Sequence, residues 1–262
     1  MAEPAISYIY LSNGRILLVG ENLENDEHSH YALQITINLS AKPFVMRQSE
    51  RDLSVYGAVI RSNAPHQVVS SDTWRAVILL DAQTQYAIQI NQRFHAEGGI
   101  AVLPEDDMAY CRECLQDFAG RAMDIERADR AITQITERLA GPVGKPEQPN
   151  ARVAKILHLI RSSQGKDLNL AYMARQVFVS ESRLSHLFKQ EISIPLQRYL
   201  LWYKVAQAGF NIGRGMPLTE AAEEAGFADS AHYSRTFRSM FGITPSQVLK
   251  RSRFVQVISD TT

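Results

Sequence analysis

The chain has 262 residues, 45% of them hydrophobic, which fits a globular protein of two domains. No apolar run approaches the roughly eighteen residues of a transmembrane helix, and the start MAEPAISYIY lacks the features of a signal peptide. We therefore expect a cytoplasmic protein without a membrane partner. Residues 1–149 carry 13 Lys plus Arg against 20 Asp plus Glu (−7), and residues 150–262 carry 15 against 8 (+7). The basic half favours a polyanionic partner, and the acidic half argues against a second nucleic-acid surface there.

The first 82 residues have the pattern of short strands separated by turn-forming residues. Apolar residues alternate strictly through the second candidate strand, which predicts that one of its faces is buried. The six candidates are Arg15–Val19, Tyr31–Leu39, Phe44–Arg47, Leu53–Arg61, Gln67–Ser70 and Arg75–Leu80. Strands of this length and spacing predict a small barrel or sandwich over residues 1–82.

Three histidines in this region are candidate metal ligands. The segment HSHYALQITINL contains His28, His30 and Gln34, and the later APHQV contains His66. This order is similar to the metal-binding set of cupins, with Gln34 in the place of the usual glutamate. Two histidines one residue apart on a regular strand point to opposite faces, so both can bind one metal only from a bulge or loop. The sequence leaves open a divalent transition metal such as zinc, nickel or copper, or plain hydrogen-bonded histidines.

Residues 83–140 change to helical spacing. Apolar stripes on these charged helices favour packing against the barrel or against a second copy of the chain. The residues with this spacing are Ala87, Ile90, Phe94, Met108, Cys111, Leu115, Phe118, Ile125, Ala128, Ile132, Ile135 and Leu139. We therefore interpret this region as one for packing or for dimerisation.

Cys111 and Cys114 form a C-x-x-C pair within one of these helices. A thioredoxin-like motif would need a βαβ setting, which the pattern lacks, and two thiols alone do not complete a zinc site. Packing is the favoured role for both cysteines, with a thiol redox sensor as the alternative.

The clearest domain boundary is the segment GPVGKPEQPN at residues 141–150. Two glycines and three prolines in ten residues cannot continue a helix, so we interpret it as a linker. A helical domain is expected over 151–250, beginning with a helix at Arg152–Ile160, and residues 251–262 are expected to form a tail.

The helical domain contains an internal repeat. Residues 182–200 read SRLSHLFKQEISIPLQRYL, and residues 231–249 read AHYSRTFRSMFGITPSQVL, with matching positions 49 residues apart. Each copy predicts two short helices joined by a tight turn, with Ser180 and Asp229 as the residues that cap the second helix. The pattern predicts two helix-turn-helix units bridged by a helix at Leu196–Ile212.

The second helix of each unit carries a polar and basic face outside its apolar stripe. A helix with such a face fits the major groove of DNA, where arginine can pair with guanine through two hydrogen bonds. Arg235 is therefore the first candidate for direct base readout, and His186 is its counterpart in the first copy. The residues proposed to contact phosphates are Arg183, Lys189, His232 and Arg238.

The segment from about Arg152 to Lys250 resembles the DNA-binding domain of the AraC/XylS transcriptional regulators. The most specific part is AEEAGFADSAHYSRTFRSMFGITPSQVL at residues 222–249. The first copy departs from the family pattern at Phe178 and Ser193, where glycine is common, and at Pro195. The resemblance implies that the base-facing residues are Ser182, Ser185, His186, Ser230, Ala231, Ser234 and Arg235.

The resemblance also implies an α+β protein in which a cupin-like sensor barrel precedes the helical DNA-binding domain. Its expected partners are double-stranded DNA, a second copy of the chain and RNA polymerase, and the protein is not expected to be an enzyme. A small effector would bind inside the barrel. Candidate lining residues are Gln34, Met46, Tyr56, His66 and Trp74. A metal-sensing regulator that uses His28, His30 and His66 is the main alternative.

Overall fold

The computed structural model describes residues 7–12, 15–21, 24–70, 73–119, 123–142, 150–163 and 168–257. The chain divides into two units, Met1–Gly144 with Phe237–Thr262 and Lys145–Thr236. Most of the linker expected at 141–150 lies outside the described residues. Within the described ranges, no helix has both the length and the apolarity to cross a membrane.

Among the residues that the structure describes, ten strands form two sheets in the first unit. Their bounds are β1 (Ser7–Ser12), β2 (Arg15–Glu21), β3 (Leu33–Asn38), β4 (Phe44–Gln48), β5 (Arg51–Val55), β6 (Gly57–Ile60), β7 (Gln67–Ser70), β8 (Trp74–Leu80), β9 (Ile100–Val102) and β10 (Ser252–Val257). The larger sheet has the order β10-β1-β2-β8-β3-β6-β9, and the smaller has the order β5-β4-β7. The expected combination of an amino-terminal sheet region with a carboxy-terminal helical region is confirmed.

Two details of the strands differ from expectation. The single strand expected at Leu53–Arg61 is two strands in different sheets, because the chain changes sheet after Tyr56. At this point Gly57 lies so close to the Met108 sulfur that a Cβ atom would collide with it. The expected tail at 251–262 contains β10, which pairs in parallel with β1.

Strand β3 is buried along its whole length, although its alternation predicted one exposed face. Ile35 and Ile37 belong to the main hydrophobic core. The alternate residues Gln34, Thr36 and Asn38 are also buried, and the Gln34 amide donates to the Thr36 hydroxyl at 2.8 Å. Burial of polar groups is tolerated when they are hydrogen-bonded. This face of β3 therefore places polar side chains in the interior.

Three helices cover the larger sheet with their apolar stripes. They are α1 (Gln85–Arg93), α2 (Glu105–Leu115) and α3 (Ile125–Ala140), with a short 3-10 turn at Gln116–Phe118 between the last two. Met108, Ile132 and Ile135 lie in the same core cluster as Ile35 of β3. The buried Asp107 carboxylate accepts from Arg93 and Arg138, at 2.7 and 2.8 Å, and so joins all three helices. The stripe is therefore covered from within the chain.

The described residues after position 149 form seven further helices. They are α4 (Ala151–Ser162), α5 (Leu170–Gln176), α6 (Glu181–Ile192), α7 (Leu196–Gly213), α8 (Leu218–Glu224), α9 (Ser230–Phe241) and α10 (Pro245–Arg251). The second unit has its own buried residues, among them Ile156, Met173 and Phe188. The division between the units falls within α9, so that the end of α9, α10 and β10 belong to the first unit.

Candidate nucleic-acid interface and histidine cluster

The first helix-turn-helix unit consists of α5, a turn and α6. At the turn Phe178 has a φ of 56°, and its N–H donates to the Arg175 carbonyl at 3.2 Å. The N–H of Val179 donates to the Ala174 carbonyl at 3.1 Å. The Ser180 side chain caps α6 by accepting from the Arg183 N–H at 3.2 Å, as predicted.

The second unit, α8 with α9, repeats the same bonds. Gly226 has a φ of 80° and donates to the Glu223 carbonyl, and Phe227 donates to the Ala222 carbonyl at 3.0 Å. The carboxylate of Asp229 accepts from the His232 N–H, which confirms it as the cap. The sequence repeat therefore corresponds to a repeat of backbone geometry.

The ends of the two recognition helices also match. Ser193 after α6 has a φ of 64°, and its N–H donates to the Lys189 carbonyl at 2.9 Å. Gly242 after α9 has a φ of 69°, and its N–H donates to the Arg238 carbonyl at 2.8 Å. Both helices thus end in a left-handed residue, which satisfies one of the last carbonyl groups.

The predicted DNA-contacting side chains lie outside the buried face of each recognition helix. In α6, the buried face consists of Leu184, Leu187 and Phe188. The exposed predicted residues are Ser182, Arg183, His186, Lys189, Ala231, His232, Arg235 and Arg238, and the half-buried ones are Ser185, Ser230 and Ser234. The sequence of α9 contains no acidic residue, so its outer face is suited to a polyanion.

Two of these side chains have neighbours that restrict them. The Arg238 guanidinium pairs with the Asp26 carboxylate at 2.8 Å, and both residues belong to the first unit. The His232 ring meets the Phe227 ring edge to face, with 5.2 Å between the centroids. Within the described part of the chain, Arg235 and Lys189 form no ion pair. Asp26 would therefore compete with a phosphate for the Arg238 guanidinium.

The structure brings the three predicted histidines together in the first unit. His28 and His66 face each other in an antiparallel bridge, whereas His30 lies in the loop before β3, so the loop geometry that the spacing required is present. The three side chains are buried, with ring centroids 4.2, 5.2 and 5.7 Å apart. Burial lowers the pKa of His28 to about 4 and lowers the pKa values of His30 and His66 as well. All three imidazoles are therefore neutral near pH 7.

The five candidate effector-binding residues do not form one group. Gln34 lies between His30 and His66, with its amide oxygen 2.9 and 3.3 Å from their Nε2 atoms. Met46 belongs to a separate apolar cluster between the two sheets. Trp74 stacks on Tyr8 at the main core, and the exposed Tyr56 lies under the guanidinium of Arg112.

Sequence reasoning missed Arg75, the largest fully buried side chain of the described residues. Its guanidinium carbon lies 4.8 Å from the centre of the Phe44 ring, and burial lowers its pKa to about 10. A single charged residue in the otherwise apolar strand Trp74–Leu80 was the available signal. The side chain places a cation next to an aromatic ring inside the sheet region.

The two cysteines are free and unsuited to thiolate chemistry. Cys111 is buried, and burial raises its pKa to about 12. The pKa of the Cys114 thiol is raised by burial as well. Since the thiolate is the reactive form, these environments favour the packing role.

Comparison with known proteins agrees with the helical repeat. Residues 173–251 match a family model described as a helix-turn-helix domain. The chain is 32% identical over 82 residues to the arabinose operon regulatory protein of Escherichia coli, which covers 31% of this chain and 28% of that protein. It is 28% identical over 144 residues to the transcriptional activator RhaR of Klebsiella pneumoniae, which covers 54% of this chain and 51% of that protein. The chain thus spans about half or less of the length of these relatives.

Solved structures of ToxT from Vibrio cholerae extend the similarity to the rest of the chain. An apo form has a TM-score of 0.60 at 10% identity and covers 92% of this chain and 99% of ToxT. A form with bound unsaturated fatty acid has a TM-score of 0.51 at 11% identity and covers 95% and 97%. At this identity the likeness shows the fold. The predicted AraC/XylS resemblance is confirmed: this chain carries an AraC-type helix-turn-helix domain on a protein with the ToxT fold.

Proposed function

We propose that the protein is a sequence-specific DNA-binding transcriptional regulator. The observation that carries the proposal is the pair of helix-turn-helix units with the same backbone hydrogen bonds at the turn and at the end of the recognition helix. Each recognition helix exposes basic and hydroxyl side chains on the side opposite its buried face. Such helices read base edges in the major groove of DNA.

The roles of the exposed residues follow from their chemistry. Arg235 can donate two hydrogen bonds to a guanine, and His186 and the serines can make single bonds to bases. Arg183 and Lys189 would neutralise phosphates, which fixes position and supplies most of the salt-sensitive affinity, and His232 would hydrogen-bond to a phosphate oxygen. Two such helices in successive major grooves on one face of DNA would lie about 34 Å apart.

The test is selection of binding sites from random DNA by the full-length protein, followed by titration of the selected duplex at two salt concentrations. We expect a defined site and an affinity that falls about 10³-fold or more between 50 and 200 mM salt if six or more phosphates are contacted. The control is a variant in which Arg183, Lys189, Arg235 and Arg238 are all glutamine, since these exposed side chains can change without disturbing the core. Equal affinity of the variant and the original protein would refute the proposal.

We also propose that a small effector binds in the sheet region. The fatty acid complex of ToxT shows that a protein of this fold binds an organic ligand. In this chain Gln34, Thr36 and Arg75 place polar groups among the buried residues of the sheet region. Small-molecule sites gain specificity from a few such groups in a mostly apolar lining. Native mass spectrometry of the full-length protein, gently purified, should reveal a co-purified organic molecule or a shift with added fatty acids. A protein that carries no molecule and binds none of them would remove this part of the proposal.

Self-association, which the family resemblance implies, needs another surface than the helical stripe of residues 83–140. That stripe is buried in the main core of the first unit. Sedimentation velocity over a range of concentrations, with and without the selected DNA, tests for a homodimer. Contact with RNA polymerase stays a prediction from the resemblance.

A further inference from the structure

The histidine cluster has a hydrogen-bond pattern that orients one nitrogen of each ring. Each Nδ1 lies close to a backbone carbonyl two residues away: His28 to Asp26 at 2.8 Å, His30 to Ala32 at 3.1 Å and His66 to Ala64 at 2.9 Å. A carbonyl oxygen only accepts, so Nδ1 carries the proton in all three rings. Each neutral ring then presents Nε2 as a lone pair.

The Nε2 atoms meet another acceptor. The amide oxygen of Gln34 lies 2.9 Å from Nε2 of His30 and 3.3 Å from Nε2 of His66, while its amide nitrogen donates to Thr36. Two ring lone pairs and a carbonyl oxygen therefore point toward one another without a proton between them. One ring nitrogen from each of the three histidines lies within 4.8 Å of the others, and all three residues are buried. A cation at the centre would turn this repulsion into coordination.

We propose that His28, His30, His66 and Gln34 bind one divalent late transition metal ion, with three imidazole nitrogens and one amide oxygen as ligands. Imidazole ligands suit zinc, nickel, copper and cobalt rather than magnesium or calcium. The carbonyl bond at each Nδ1 is the support that metal-binding histidines usually have, because it fixes the tautomer and the ring orientation. The proposal rests on this geometry alone and does not depend on DNA binding.

The test uses tag-free full-length protein, because an added histidine tag would itself bind the metal. The protein is first treated with chelator and then titrated with Co²⁺, while the visible ligand-field bands are followed. Elemental analysis measures the bound metal. We expect one equivalent per chain. His66→Gln should weaken binding by at least about 100-fold, the upper end of the effect of losing one supporting partner. His95→Ala, at an exposed histidine of the same unit, should leave binding unchanged.

Gln34→Glu separates metal coordination from a plain hydrogen-bond network. A carboxylate oxygen in place of the amide should tighten Co²⁺ binding and shift its bands. In a metal-free network the amide would be turned, so that its nitrogen donates to the histidines and its oxygen accepts from the Thr36 hydroxyl. Binding of less than about a tenth of an equivalent, or equal losses in the His66→Gln and His95→Ala variants with all proteins folded by circular dichroism, would overturn the proposal.

Discussion

The two helix-turn-helix units have the same backbone and different residues at the two places where it turns left-handed. The first unit uses Phe178 and Ser193, and the second uses Gly226 and Gly242. At Gly242 a Cβ atom would collide with the backbone of Asp26, whose N–H donates to the Gly242 carbonyl at 3.1 Å. This difference shows that a position can require glycine because of a residue packed against it as well as because of its own φ angle.

The largest effect on the free energy of unfolding is expected from exchanging the residues that follow the two recognition helices. Gly242→Ser adds a left-handed side chain and a clash with Asp26, and we expect it to lower the free energy of unfolding by about 2–4 kcal/mol. Ser193→Gly, the reciprocal change at an exposed position, should alter it by less than about 1 kcal/mol. Urea unfolding of both full-length variants checks this. Similar values for the two would mean that contact with Asp26 does not distinguish the sites.

The second largest difference is expected between the DNA-contacting faces of the two recognition helices. Arg235→Ala removes a side chain capable of two hydrogen bonds to guanine, so we expect a loss of about 1–3 kcal/mol in binding to the selected site and relaxed specificity at one base pair. His186→Ala, at the matching position of the first unit, should lose less. Fluorescence anisotropy with single-base variants of the site measures both, and His158→Ala in α4 serves as an exposed control. Unchanged specificity after Arg235→Ala would remove it from base readout.

Glycine, the residue at the turn of the second unit, should stabilise the turn of the first unit. Phe178 has a positive φ and is 90% exposed, so it gains little from burial to offset its backbone strain. Phe178→Gly should therefore raise the free energy of unfolding by about 1 kcal/mol. Thermal and urea unfolding give the sign. A decrease would show that the exposed ring has a stabilising contact, and unchanged stability with weaker DNA binding would assign the ring to the interface.

The smallest difference is expected in the salt dependence of DNA binding, between variants of the basic residues in the last turns of the two recognition helices. Lys189→Ala should reduce the slope of log affinity against log salt by about 0.9, as for the loss of one phosphate contact. Arg238→Ala should reduce it less, because this guanidinium is paired with Asp26. Asp26→Asn should raise affinity for all sequences, by less than about 1 kcal/mol, since both partners are mostly exposed. Equal slopes for the two alanine variants would show that the pair does not compete with DNA.

The recognition helices could be predicted because their signals are local. Ser180 and Asp229 cap helices through bonds to N–H groups three residues away, and the apolar spacing that defines each buried face covers a few turns. Strand β10 could not be predicted, because it pairs with β1 more than 240 residues earlier in the chain. Such pairing depends on tertiary structure and leaves no pattern in the segment itself.

The residues of the histidine cluster could be predicted from the sequence, but the orientation of their rings could not. The segment HSHYALQ and His66 indicated the residues, but the orientation of each ring depends on carbonyl groups that only the folded loops bring into place. Arg75 was missed for a similar reason, since the Phe44 ring against which its guanidinium lies comes from the other sheet. Tyr56 is a candidate for the barrel lining from the sequence, where spacing alone does not fix its face, and the structure places it exposed at the change of sheet.

Asp26 takes part in three interactions at once. Its carbonyl accepts from the His28 ring, its N–H donates to Gly242, and its carboxylate holds Arg238. A metal ion on His28, whose ring is held by the Asp26 carbonyl, and a phosphate that draws Arg238 away from the Asp26 carboxylate would both act on this one residue. If binding at one of these sites changes the affinity at the other, thermodynamic reciprocity requires the same factor in both directions. The strength of DNA binding would in that case report the occupancy of the histidines, and the affinity of the histidines for their ligand would report the presence of DNA.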